Sequence, residues 1–73
     1  MNPIALLSLV ALREDLPDRN LARGQIGTVV EHLAANGEQA VLVEFSDEQG
    51  RTCALVDLQP EQVQVLHGET EIA

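Results

Sequence analysis

Between Leu21 and Leu33 the chain reads Leu-Ala-Arg-Gly-Gln-Ile-Gly-Thr-Val-Val-Glu-His-Leu, and two glycines three apart lead directly into a β-branched run. Glycine reaches backbone angles closed to other residues, so Gly24 and Gly27 suit a sharp bend and a close approach of two backbones. Thr28, Val29 and Val30 favour a pleated, half-buried strand over a helix. The rest of the chain must therefore fold around a strand that begins at a tight corner, as in a small barrel-like β domain.

The flanking segments supply further strands. Leu6–Leu12 is expected to form the first, with Leu6, Ser8, Val10 and Leu12 on one side and Leu7, Leu9 and Ala11 on the other. Both sides are mostly apolar, which points to a second surface, such as another subunit, covering the outer one. Leu7 and Leu9 are the expected interface pair; if the two sides are exchanged, Leu6 and Val10 take that place. Arg13 to Asn20 is an acidic loop in which Pro17 fixes one backbone angle and Asp and Asn favour turns. It is long for a hairpin connection, and a loop of this kind often carries binding.

Asn36-Gly37 between two alternating apolar runs is the strongest hairpin signal in the chain. A two-residue turn there sets Val43 against Val30, Val41 against His32 and Phe45 against Thr28. It leaves a mixed outer face in which Val29 and Leu33 meet Glu44 and Ala40, so either a bulge shifts the register or the outer surface is partly buried. Ser46 to Arg51 reads as a second turn, with Gly50 free to take a positive φ. Thr52 to Val56 follows as a strand holding Cys53 as a small buried or half-buried filler. Asp57 to Gln62 reads as one helical turn with Pro60 early in it, and Val63 to Leu66 as the closing strand. The domain is expected over residues 1–67 and a frayed tail over 68–73.

Seventy-three residues make one domain with a thin core, since a chain this short hides only about 60% of the surface its unfolded form exposes. Cys53 is alone and cannot form an intrachain disulfide, and His32 and His67 give it no zinc-ligand spacing. Self-association is the remaining support, and a homo-oligomer is expected. Twelve acidic residues against four arginines and no lysine give a net charge of −8. Such a surface repels phosphate backbones, and Phe45 is the single aromatic, so nucleic acid is not the expected partner. A basic protein is a natural one. Ile4 to Leu12 is too short to span a bilayer and lacks the flanks of a signal peptide, so a cytoplasmic protein without membrane attachment is expected.

No catalytic, cofactor or metal site emerges. Gly24-x-x-Gly27 lacks the Gly-Lys-Ser/Thr ending of a phosphate cradle. Ser8 and Ser46 have no histidine at a recognisable spacing. Glu14, Asp15 and Asp18 lack the regular ligand spacing of a calcium loop. Arg19, Arg23 and Arg51 stand out within acidic loops, and Arg51 is placed to pair with Asp47 or Glu48.

Five short strands, a long loop after the first and a helical turn before the last together resemble an SH3-like barrel. Val10-Ala11-Leu12 with Glu14-Asp15-Leu16-Pro17, then Arg23 through Glu31, then Val43-Glu44-Phe45 with Asp47, Gly50-Arg51-Thr52 and Ala54-Leu55 resemble, in that order, the uncharacterised small bacterial proteins catalogued as domain of unknown function family 4926. The resemblance implies an all-β, five-stranded SH3-like barrel and carries no activity, cofactor or site residue with it. Gly24, Gly27, Asn36, Gly37 and Gly50 are the expected structural turns.

The function this sequence favours is a non-enzymatic interaction module, an acidic barrel acting as inhibitor or accessory subunit of another protein. Its partner would be held by Glu14, Asp15 and Asp18 in the long loop and by Asp47 and Glu48 in the later turn. The alternative is a small enzyme whose carboxylate site is assembled between subunits.

Overall fold

The computed structural model describes residues 4–35 and 37–66. Five antiparallel strands, β1 (Leu9–Leu12), β2 (Ile26–Ala35), β3 (Glu38–Ser46), β4 (Thr52–Leu58) and β5 (Val63–Val65), form one sheet in the order β4-β3-β2-β1-β5. Four strands run as a meander, and a single 3₁₀ turn at Pro60–Gln62 then brings β5 back alongside β1. The fold is all-β with the strand order of an SH3-like barrel and the helical turn before the last strand, as the sequence suggested. A second 3₁₀ turn, Pro17–Arg19, lies in the long loop. No helix among the described residues is long and apolar enough to cross a membrane.

The core follows from the pairing. Val10 and Leu12 of β1, Val29 of β2, Val41, Val43 and Phe45 of β3, Val56 and Leu58 of β4 and Val63 of β5 are buried, joined by Leu21 from the long loop. Each such side chain contributes roughly 1.5–3 kcal/mol by leaving water. Val10 is fully buried whereas Leu9 is 42% exposed, which fixes the inward side of β1.

Several boundaries differ from expectation. The first strand starts at Leu9 because Leu6 and Leu7 form a turn, with Leu7 at φ 67°, and a left-handed residue breaks the pleat. The hairpin register holds from Ala35↔Glu38 to Glu31↔Leu42 and then shifts, so that Val29 faces Val43 and Thr28 faces Glu44. A bulge at Val30 does this. It sends Val29 into the core, where uninterrupted alternation would have sent Val30 and set Thr28 against Phe45. Gly37 takes a positive φ in the turn, and Asn36 lies outside the described residues. Gly27 is no turn residue: it sits inside β2 opposite Val10, whereas Gly24 and Gly50, like Gly37, bend the chain with positive φ as expected. β4 continues to Leu58, so the 3₁₀ turn begins at Pro60 rather than Asp57. Cys53 is exposed on β4, not buried. His67 and the tail 68–73 lie outside the described residues.

Candidate functional site

The long loop between β1 and β2 is built rather than slack. Leu16 and Leu21 exchange both backbone hydrogen bonds, 2.9 and 3.1 Å, and pinch off the Pro17–Arg19 turn between them. Asn20 closes that turn in the left-handed region, a conformation asparagine tolerates well. Buried Leu21 and half-buried Leu16 then anchor the pinch to the core.

The acidic side chains of the loop help hold it. Asp15 Oδ1 accepts the backbone N–H of Arg23 at 2.8 Å, tying the outgoing leg to the returning one. Glu14 Oε2 accepts Gln62 Nε2 at 3.0 Å, and Gln62 Oε1 accepts the Gln59 N–H at 2.8 Å. The loop is thereby fastened to the Pro60–Gln62 turn. Arg13 Nε adds a bond to the Val63 carbonyl at 3.1 Å. The ties of Asp15 to Arg23, Glu14 to Gln62 and Arg13 to Val63 were not visible in the sequence, because the groups are eight to fifty positions apart.

Between the loop and the end of β4 lies an open groove of about 240 Å³ lined by Leu16, Pro17, Asp18, Arg19, Val56, Asp57, Leu58 and Gln62. Its lining combines two acidic residues, Asp18 and Asp57, with apolar Leu16, Pro17, Val56 and Leu58, and Arg19 is the one cation in it. Small-molecule sites usually enclose about 300–1,000 Å³. This groove is smaller and open, a shape suited to one side chain of a partner. Asp57 was missed by the sequence reading, which put it in a helical turn; as the penultimate residue of β4 it faces Leu42 instead.

The second acidic cluster is elsewhere. Asp47 and Glu48 occupy the β3–β4 turn, at the opposite end of β4 from the groove and about 20 Å away along the strand. The structure thus separates the two groups of acidic residues that the sequence had assigned to one partner. Asp47 Oδ1 accepts the N–H groups of Gln49 and Arg51, both at 2.9 Å, and Oδ2 accepts Arg51 Nε at 3.1 Å. The expected Arg51 pairing is therefore with Asp47.

The Arg51 backbone N–H is the main cause holding the Asp47 carboxyl below its ordinary value of 3.8, opposed by desolvation and aided by the Gln49 N–H and the Arg51 side chain. A depressed folded-state pKa means stability that is complete above the unfolded value and lost as pH falls through the folded one. Asp47→Asn can keep the turn's acceptor but not the charge. Its melting temperature should fall below that of the parent near neutral pH, and the two curves should converge as pH drops below 3.8. A difference that persists undiminished at the lowest pH would assign the effect to turn geometry instead of charge.

Among the described residues no polar or charged side chain is buried, and no group of three His, Cys, Asp or Glu is placed to hold a metal ion. His32 is exposed on β2 and its Nε2 bonds the Ile4 carbonyl, a structural tie for the segment preceding β1.

The family described as Domain of unknown function (DUF4926) matches residues 6–65, nearly the whole described chain. The chain belongs to this family. No curated protein and no solved structure matches it. The span runs from the Leu6–Leu7 turn to the end of β5, so the loop, the groove and the sheet all belong to the DUF4926 domain.

Proposed function

We propose that this DUF4926 domain is a non-enzymatic interaction module that receives a basic segment of another protein, as its inhibitor or accessory subunit. The observation that carries the reading is the groove, which Asp18 and Asp57 line together with Leu16 and Pro17 and whose loop wall is braced by the Glu14–Gln62 bond. A lysine or arginine side chain has what that arrangement asks for, an aliphatic stem for the floor and a cation for the rim. The net charge of −8 draws such a segment in from a distance and disfavours nucleic acid. An enzyme would call for a carboxylate raised by burial. The Asp47 carboxyl is displaced downward instead, in an exposed turn.

The test is co-purification from native cells, followed by stopped-flow association of the recovered partner with parent and Asp18→Asn/Asp57→Asn protein at two salt concentrations. Rim charges act mainly on encounter, so the variant should associate about tenfold more slowly at low salt and lose much of its salt dependence, while dissociation changes less. Equal association rates for parent and variant would reject the groove as the docking site. A partner without excess positive charge would reject the reading itself.

A further inference from the structure

We infer that the partner's basic segment binds as an extended strand added to the free edge of β4, with one lysine or arginine side chain in the groove at the strand's end. The inference rests on the groove being the docking site proposed above and says how the segment's backbone is held.

β4 ends the strand order on its side of the sheet, and among the described residues its backbone pairs with β3 alone. In an antiparallel ladder successive residues turn their N–H and C=O groups alternately toward one neighbour and the other. Every second residue of β4 therefore offers both groups away from β3. An edge left in this state is a template for another chain, and folds usually shorten, bulge or cover it. The edge at the other end of the sheet follows that rule, since β5 has three residues. β4 has seven, and its register shift lies near its start, at Cys53, which leaves Ala54 to Leu58 regular.

The groove meets this edge. Its lining takes three consecutive β4 residues, Val56, Asp57 and Leu58. Val56 and Leu58 are buried on the core side while Asp57 is exposed on the other, so what all three can present to one groove is the strand's backbone edge. The facing wall does not complete the ladder. It is the Pro17–Arg19 turn, in which Pro17 has no N–H and the Arg19 and Asn20 N–H groups are bonded to the Leu16 and Pro17 carbonyls. A segment entering here finds strand backbone on one side and, in the same lining, Asp18 and Asp57.

Charge selects the occupant. Two acidic residues in the lining favour a cation, and a chain with four arginines, no lysine and twelve acidic residues is a poor source of one, so a second copy fits less well than a basic segment of another protein. In strand addition the main-chain bonds supply affinity and alternate side chains supply specificity. One basic side chain at the groove then reads the carboxylates, and Leu55, 51% exposed on the outer side of β4, is left to meet an apolar neighbour on the added strand.

The probe is a peptide as long as β4, alternating valine and threonine with an arginine next to its N terminus. Arginine in the groove at the Leu58 end sends such a peptide antiparallel along β4. Two further versions carry N-methyl groups on alternate residues, one on the odd and one on the even positions, which strips donors from one edge of the peptide and leaves its side chains unchanged. NMR titration of the full chain should show millimolar or tighter binding, with amide exchange slowed at every second residue between Ala54 and Leu58. One methylated version should bind at least about tenfold more weakly than the unmethylated peptide and the other within about threefold of it. Equal affinities for the two methylated versions overturn the added strand while leaving the groove as the docking site for a basic side chain. No binding of the unmethylated peptide at about 2 mM overturns it as well. So does protection of every amide from Ala54 to Leu58 before any peptide is added, because the edge is then already occupied. Glutamate in place of arginine tests the other reading: unchanged affinity, with the methylation contrast intact, rejects the basic partner and keeps the added strand.

Discussion

Replacing Gly27 by alanine should destabilise the domain by about 3 kcal/mol, although alanine is ordinarily the better strand residue. A β-carbon built at Gly27 meets Val43 Cγ1 at 2.6 Å, the Glu44 carbonyl oxygen at 2.9 Å and Phe45 Cδ1 at 2.9 Å. Side-chain tips can turn away; the Glu44 oxygen is backbone of the adjacent strand and cannot move without opening the β2–β3 ladder. The propensity gain of roughly 0.5–1 kcal/mol is too small to offset that. A chain of this length has on the order of 4–10 kcal/mol in all, and its melting temperature should drop by about 15 °C. Gly24→Ala is the informative contrast. Gly24 has φ +89° with nothing within 4 Å of the new β-carbon, so it suffers backbone strain alone and should cost about 1–2 kcal/mol. Thermal melts of both variants decide the matter: equal losses would mean that the sheet relaxes around Gly27 and that close approach is not its role.

Phe45→Ala should remove most or all of the folded population at 37 °C. Phe45 is the largest fully buried side chain, at 0% exposure, and it packs in a core otherwise made of valine and leucine. Truncating a buried phenylalanine costs about 3–5 kcal/mol in lost transfer and cavity energy, a large share of the stability available. Phe45→Leu keeps most of the volume and should cost less than about 2 kcal/mol, so its two-dimensional NMR spectrum stays dispersed. Cooperative urea unfolding of Phe45→Ala with nearly the parent midpoint would show that the thin core can collapse around the gap.

The two variants probe one site from opposite sides. Gly27 lacks a side chain so that Phe45 and Val43 can fill the space beside it; enlarging the first or emptying the second spoils the same fit.

The local features were legible because their causes are local. Glycine at positions 37 and 50 has the positive φ that a two-residue hairpin and an Asp-initiated turn require, and Arg51 pairs with a carboxylate four residues away. The five strands and the turn before the last follow from residue preference and punctuation within short windows. The Leu9–Leu12 strand also showed its two apolar sides in sequence, though not which of them faces the core.

What the sequence by itself determined is therefore the set of strands, their turns, the acidic balance and the membership that residues 6–65 express. Tertiary structure alone decided the bulge at Val30, since Val29 and Val30 are equally suited to burial and only the position of Val43 on β3 chooses between them. It likewise decided that Gly27 serves the close approach of β2 to β3 and makes no turn. β4 runs on through Asp57 because Leu58 finds a buried place opposite Val41, and this brings Asp57 into the lining of the groove that Asp18 also lines. Backbone preference acts over a few residues and is written in order along the chain. Register, close approach and the lining of one groove by residues 39 positions apart depend on which side chains fill the same space, and that is fixed only when the sheet packs.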